Sequence, residues 1–270
     1  MIFVRDKGRM CNNMLQYAHL YAWGREHHRA TLSMRFAYKY PYFHLCDTPH
    51  HNLLFYLMGK WGAALHLLPV VTFPFQEGDT REQEAQLLAH RHVVAQGWGA
   101  RFYDLFLKYK ADIVALFAFH PDIEAAAARR LQPAGEALRL GVHIRRGDYT
   151  TWQGGRYLYT DKQYISLISQ YMARYKHEHV VAYVCGNDPN LDRDLYRQAL
   201  GRDNVCFPDG NPGEDLCLLS HCDALIGAPS TFTLVAAMYH DTPLYWIEDP
   251  GRPLDETCFA HFDQLFRHIH

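Results

Sequence analysis

Between residues 138 and 247 short apolar runs alternate with helix-length segments, and this alternation limits the possible folds more than any other property of the chain. Residues 138–144, 180–185, 205–207, 224–227 and 244–247 are strand-like runs rich in Val, Ile and Leu. Residues 160–175, 191–200, 213–221 and 231–239 lie between them and read as helices. A strand needs a long crossover to reach a parallel neighbour, and a helix supplies it, so the pattern predicts a mostly parallel, doubly wound α/β sheet.

The first half of the chain opens the same way. Residues 2–4 form an apolar run that stops at Asp6-Lys7-Gly8-Arg9, and a helical pattern begins near Asn12. Met14, Leu15, Tyr17, Ala18, Tyr21 and Ala22 then share one face of that helix. Residues 31–36 are a plausible second strand. The aromatic-rich stretch 35–74 has weak periodicity and is expected to be irregular with short helices. Exposed aromatics can stack on sugar rings, but the area each ring buries more often places it in a core. Helices are expected over 80–90 and 100–117, separated by Gln96-Gly97-Trp98-Gly99, and over 120–131, where Pro121 suits a first turn. The turn at 133–136 is the expected boundary between two α/β units, 1–134 and 135–270. The expected architecture is two Rossmann-like lobes facing a cleft.

At 270 residues either unit can bury an adequate core. A formal net charge of −2 argues against a broad nucleic-acid or membrane footprint, so any basic site must be local. The seven cysteines (Cys11, Cys46, Cys185, Cys206, Cys217, Cys222 and Cys258) are an odd set without framework spacing, which favours reduced thiols. Cys217 and Cys222 flank His221 but lack a typical zinc pattern, so no metal is expected there. The paired His27-His28 and His50-His51, and the terminal His268 and His270, are expected at the surface. No basic, apolar leader opens the chain and no run of about 18 apolar residues occurs, so a cytoplasmic location is expected, with peripheral work at a membrane surface left open. No GxxxxGK[ST] loop is present, which disfavours a kinase or NTPase, and no GxGxxG follows a strand.

Two blocks carry the chemistry. The run 138–144 breaks into Arg145-Arg146-Gly147-Asp148-Tyr149, placing His143, two guanidiniums and a carboxylate at a strand's carboxyl end. Ligands of open α/β sheets bind there, and adjacent arginines suit the bidentate geometry of a diphosphate. The plainer alternative is a solvated surface pair. The second block runs from Asp215 through Ser220-His221-Cys222 to Ile226-Gly227-Ala228-Pro229-Ser230-Thr231-Phe232. Ser230 and Thr231 can cap the helix that follows, and its free N–H groups with those hydroxyls would bind a phosphate. Simple capping is the competing explanation.

His143-Ile144-Arg145-Arg146-Gly147-Asp148-Tyr149 resembles the first signature of the family 11 α-1,2-fucosyltransferases, part of a wider group with the α-1,6- and protein O-fucosyltransferases. The block from Asp215 to Phe232 is similar to their carboxy-terminal signature. Gly8-Arg9-Met10-Cys11-Asn12-Asn13 followed by Gln16-Tyr17-Ala18 resembles the amino-terminal one. Here cysteine stands for a second glycine and Asn13 for glutamine, which leaves the course of this turn open, because cysteine reaches positive φ less cheaply than glycine. Val184-Cys185-Gly186-Asn187-Asp188 occupies the slot of a third block, in which Asp188 matches. A weaker likeness covers 106–124.

The resemblance implies a GT-B-like glycosyltransferase, with residues 1–134 on the acceptor side and 135–270 holding the GDP-sugar. It implies that Arg145 neutralises charge on the β-phosphate as the sugar–oxygen bond breaks, and that His143 contacts the nucleotide or diphosphate. Arg146 and Asp148 would shape the donor loop through an internal ion pair. Ser230, Thr231 and Phe232 would hold the diphosphate and its neighbours, and Asp215 the guanine or its pocket. Gly8, Asn12 and Asp188 complete the donor-binding set. The implied reaction is inverting transfer of L-fucose from GDP-β-L-fucose to a galactose-type hydroxyl, in α-1,2 linkage, on an oligosaccharide or lipid-linked glycan of the polysaccharide type. No cofactor or metal is expected beyond the donor. Asp6, Asp148 and Asp188 are the candidates for the acceptor's proton. The alternatives are a transferase of the same scaffold with another nucleotide sugar or linkage, and a non-catalytic nucleotide- or glycan-binding protein.

Overall fold

The computed structural model describes residues 1–74, 78–132, 135–186 and 188–269. Pro133 and Ala134 of the expected boundary turn, Asn187 of the third block and His270 lie outside the described residues. The chain forms two compact units, Met1–His120 and Pro121–His270.

In the first unit, strand β1 (Ile2–Arg5) leads through a glycine turn into helix α1 (Met10–Glu26), which starts earlier than its periodicity suggested. Strand β2 (Thr31–Ser33) is shorter than expected: its register with β1 ends at Ser33, and the Arg35 amide just beyond donates to Asp6 instead. The aromatic stretch is more ordered than its weak periodicity implied: it holds helix α2 (Leu53–Ala64) and strand β3 (Val70–Thr72). Helix α3 (Arg81–Ala89) follows, then strand β4 (Val93–Gln96), which the sequence reading had not assigned. All four strands are parallel in the order β2-β1-β4-β3, so β4 is central, with Val93, Val94 and Ala95 fully buried. A parallel strand covered on both faces has no polar alternation to reveal it, and four residues give little else.

Gly97 turns the chain out of β4 at φ +111°, and a Cβ there would collide with the Phe73 carbonyl oxygen. The expected helix over 100–117 is two: α4 (Tyr103–Lys108) and α5 (Lys110–Leu116), broken at Tyr109. His51 is a correction to the surface expectation, since it is buried with Nε2 accepting from the Ser33 amide at 3.0 Å.

The second unit begins with helix α6 (Pro121–Leu131). The division therefore falls before this helix and not at the turn after it. Tertiary contacts are the reason: Arg130 pairs with Glu214 at 2.9 Å, and the Leu131 carbonyl accepts from the Tyr183 hydroxyl at 3.1 Å. Then come β5 (Leu138–Ile144), α7 (Asp161–Arg174), β6 (Val180–Gly186), α8 (Arg193–Leu200), β7 (Val205–Cys206), α9 (Pro212–Ser220), β8 (Ala224–Gly227), α10 (Thr231–His240), β9 (Leu244–Trp246) and the short α11 (Phe262–Leu265). From β5 to β9 these match the expected strands and helices to within a residue or two, and α11 was not expected. Capping explains the sharp helix starts. Thr160 with Gln163 and Asn211 with Glu214 form reciprocal capping boxes, and Pro212 occupies a first-turn position.

The five strands are parallel in the order β7-β6-β5-β8-β9. Strand order reverses between β5 and β8, and that switch point opens a crevice beyond their carboxyl ends. Among the described residues no helix is long and apolar enough to cross a membrane.

Candidate functional site

β5 and β8 are in register with His143 opposite Gly227, so the Arg-Arg loop and the turn into α10 leave the sheet side by side. Two further contacts join them. The His143 ring stacks on Phe232 with centroids 4.6 Å apart and planes at 16°. The Tyr149 hydroxyl donates to the Pro229 carbonyl at 2.5 Å. The two strongest sequence blocks thus converge on one place.

The adjacent arginines divide the work. Arg145 meets Asp148 through two bonds, Nε to Oδ1 at 3.1 Å and Nη2 to Oδ2 at 2.8 Å, and its guanidinium lies 5.2 Å from the centre of the Tyr149 ring. Arg146 turns the other way, with Nη1 on Asp188 at 2.8 Å, Nη2 on Asp161 at 2.6 Å and Nε on the Tyr159 carbonyl at 3.2 Å. Asp148 forms a two-bond pair with Arg145, and Arg146 ties the end of β5 to Asp188 beyond β6 and to Asp161 at the start of α7. Asp161, which also accepts from the Tyr196 hydroxyl at 3.1 Å, went unnoticed in the sequence. As a lone acid at a helix start it reads there as an ordinary first-turn residue.

His143 is buried, and desolvation together with the Arg145 charge pushes it down to about 3. The ring is therefore neutral at physiological pH, and its Nδ1 is buried without a hydrogen-bond partner. The unfolded-state value near 6.5 lies above the folded one, so the contribution of His143 to stability is complete above about pH 6.5 and lost as the pH falls toward 3. Replacing it by glutamine should narrow the stability gap to the native protein by up to ~1.4 kcal/mol per pH unit between about pH 6 and 4. Urea unfolding at fixed pH reads this directly, and a gap that widens on acidification would contradict the assignment.

Ser230 caps α10, its Oγ accepting from the Thr233 amide at 3.3 Å, and the Thr233 hydroxyl in turn accepts from the Trp246 indole at 3.0 Å. Capping does not by itself exclude anion binding, because a cap on the Thr233 amide leaves the positive end of the helix dipole in place. Thr231 and Phe232 lie in that first turn.

Beside β6 a pocket of about 190 Å³ is lined by Gly186, Asp188, Arg193, Phe207, Asp209 and Asp215. Gly186 has no room for a side chain, since a Cβ would stand 2.6 Å from the Ile144 carbonyl oxygen. Burial raises the Asp215 carboxyl to about 6, and its Oδ1 accepts from the Gly210 amide at 3.1 Å. The Arg193 guanidinium lies 5.3 Å from the Phe207 ring centre and is paired with Asp209. Phe207, Arg193 and Asp209 were not singled out in the sequence, because only the fold brings these residues around β7 to Asp215.

In the first unit, Gly8 takes φ +98°, where its missing side chain makes room for Asn12. Cys11 lies inside α1 and needs no positive φ, so the cysteine is compatible with the turn. The turn is stitched by Asn13, whose Nδ2 donates to the Gly8 carbonyl at 3.3 Å, and by Gln16, whose Nε2 donates to the Lys7 carbonyl at 2.6 Å. Asp6 is buried at the end of β1, accepting from the Ser33 hydroxyl at 2.5 Å and the Arg35 amide at 3.1 Å. Desolvation raises it to about 7.

Residues 123–242 match the model of the family described as Glycosyl transferase family 11. Galactoside 2-alpha-L-fucosyltransferase SEC1 of Bos taurus is 23% identical over 254 residues, which are 87% of this chain and 63% of that protein. Galactoside alpha-(1,2)-fucosyltransferase 2 of Bos taurus is 25% identical over 248 residues, 85% of this chain and 66% of the relative. The chain therefore spans somewhat less than two thirds of these relatives. Among solved structures, POFUT1 in complex with GDP-fucose superposes with a TM-score of 0.60 at 11% identity, over 89% of this chain and 94% of that one. A mutant of Arabidopsis thaliana FUT1 in complex with GDP gives 0.60 at 12% identity, over 96% and 73%. At such identities the likeness shows the fold alone, a GT-B-type fold of parallel α/β units as the family resemblance implied.

Proposed function

Because residues 123–242 carry the glycosyl transferase family 11 module, we propose that the protein is an inverting fucosyltransferase that moves L-fucose from GDP-β-L-fucose to a galactose-type hydroxyl of a glycan, in α-1,2 linkage. The observation that carries this reading is the meeting of the Arg145 loop and the capped start of α10 at the switch point, joined by the Tyr149–Pro229 bond and the His143–Phe232 stack. A guanidinium and a helix N-terminus side by side suit a pyrophosphate whose charge grows as it leaves.

The reaction is a single displacement. The acceptor oxygen attacks C1 of fucose, the C1–O bond to the β-phosphate breaks, and GDP leaves with the bonding electrons. Arg145 takes up the charge on the leaving phosphate. Neutral His143 offers its unpartnered Nδ1 to the donor. Asp215 faces a pocket in which a carboxylate can accept from the donors on the edge of guanine, and Phe207 can lie against the base. Of the three acids considered for the acceptor's proton, Asp148 and Asp188 are committed to guanidiniums, whereas Asp6 has an affinity near neutrality that suits a base. On this reading the first unit takes the acceptor. The same commitments leave Asp148 and Asp188 poorly placed to hold Mg²⁺ or Mn²⁺, so turnover should persist in EDTA.

The test is a product assay with GDP-fucose over a panel of glycan acceptors, preceded by thermal shift with nucleoside diphosphates. GDP should raise the melting temperature more than UDP or ADP, and Asp215→Ala should erase that preference. Selective stabilisation by another nucleotide would favour a different donor on the same scaffold. GDP binding without transfer to any acceptor would favour a binding protein.

A further inference from the structure

Helix α2 has its apolar residues on the wrong side for an isolated soluble unit. Its fully buried residues are small, Gly59 and Ala63, with Phe55 and Tyr56 half-buried against the same core, and a Cβ on Gly59 would stand 2.8 Å from the Phe3 ring and 3.3 Å from the Met34 methyl. Its outward face is large. Leu54 is 65% exposed, Trp61 55% and Leu65 62%, with Leu53, Leu57 and Met58 on the same face and Leu67, 74% exposed, in the turn beyond. A surface helix ordinarily buries its leucines and shows its charges, and a contiguous apolar patch of this kind marks an interaction surface.

The segment that carries the patch is free of acids. No Asp or Glu occurs between Asp47 and Glu77. Lys60 sits on the helix with its ammonium 5.9 Å from the Tyr56 ring centre and 5.6 Å from that of Trp61. A pocket of about 180 Å³ beside the helix is lined by Arg5, Arg35 and Lys60 with Tyr38 and Tyr56, and Asp6 is its one acid. Exposed apolar residues, tryptophan and tyrosine, and a fringe of cations are the chemistry of a bilayer interface with anionic headgroups. A second copy fits less well. In a two-fold interface the patch would meet itself, bringing Lys60 and Arg35 against their own counterparts with no carboxylate from 48–76 to pair them.

We propose that α2 and the turn after it seat the first unit on an anionic phospholipid bilayer, with the helix lying in the headgroup plane and Lys60 at its edge meeting the lipid phosphates. Twelve residues reach about 18 Å, too short to span the hydrocarbon and suited to lying flat on it. The proposal does not depend on the donor chemistry, so a failed transfer assay leaves it standing.

Co-sedimentation of the full chain with phosphatidylglycerol/phosphatidylcholine vesicles, and with phosphatidylcholine vesicles alone, tests it. Binding should favour the anionic vesicles and weaken in about 0.5 M salt. Leu54→Glu with Trp61→Glu should lower partitioning by about tenfold or more with unchanged circular dichroism and melting temperature. Should that pair fail to fold, Leu67→Glu carries the same expectation from outside the helix. Lys60→Glu should remove most of the preference for anionic lipid. A native chain left in the supernatant with both vesicles, or a folded variant that binds as the native protein does, overturns the proposal. So does a native dimer, seen by light scattering, that the variants convert to monomer without any vesicle binding.

Discussion

Arg145→Ala is expected to lower fucosyl transfer by about 100- to 1,000-fold, with the melting temperature nearly unchanged. On the proposed mechanism, the rate loss follows from removing a preorganised charge beside the leaving phosphate. The small stability effect follows from what the side chain holds in the unliganded protein. Arg145 is itself only 15% exposed, but its partner Asp148 is three residues away and 48% exposed, so losing the cation leaves an acid that water can solvate, at a cost of about 1 kcal/mol. Arg145→Lys should recover little, because a point charge cannot make two parallel bonds. Initial rates of GDP release with donor and acceptor, alongside thermal melts, decide the matter. Near-normal turnover in a folded Arg145→Ala protein would remove Arg145 from the reaction.

Arg146→Ala should behave in the opposite way, unfolding the second unit more easily whether or not donor is present. It leaves Asp161 and Asp188, only 17% and 14% exposed, as like charges without their shared cation. Breaking a largely buried pair in this manner costs about 3 kcal/mol or more. For a unit of this size that is roughly 6–12 °C in melting temperature. The activity surviving at low temperature should exceed that of Arg145→Ala. Two neighbours in sequence, both cationic, thus give separable outcomes. A melt of Arg146→Ala that overlays the native one would show the acids to be relieved some other way.

Much of this was legible before any coordinates. In the second unit each strand is a short run of Val, Ile and Leu closed off by glycine or polar residues, as in Val180–Gly186 and Ala224–Gly227. The helix starts carry their own caps at Thr160, Asn211 and Ser230. The first unit was harder because its strands run to three or four residues. Val93–Gln96 and Val70–Thr72 are too brief for a period to show, and they sit among aromatics whose burial has no fixed repeat. Helix α2 was obscured for a different reason: its apolar residues face outward, so hydrophobicity alone could not say which side was the core.

The alternating parallel architecture of the second unit and its two motif blocks depend on local propensity and burial pattern, and so are written along the chain. Which acids each arginine meets is settled instead by contacts between distant elements. The acids that bind Arg146 stand 15 and 42 residues away from it, and only the pairing of β5 with β6 and the packing of α7 bring them within hydrogen-bond reach. The same holds for the pocket around Asp215, assembled from β6, β7 and α9. A site that closes through contacts between distant elements has no spacing to be read along the chain.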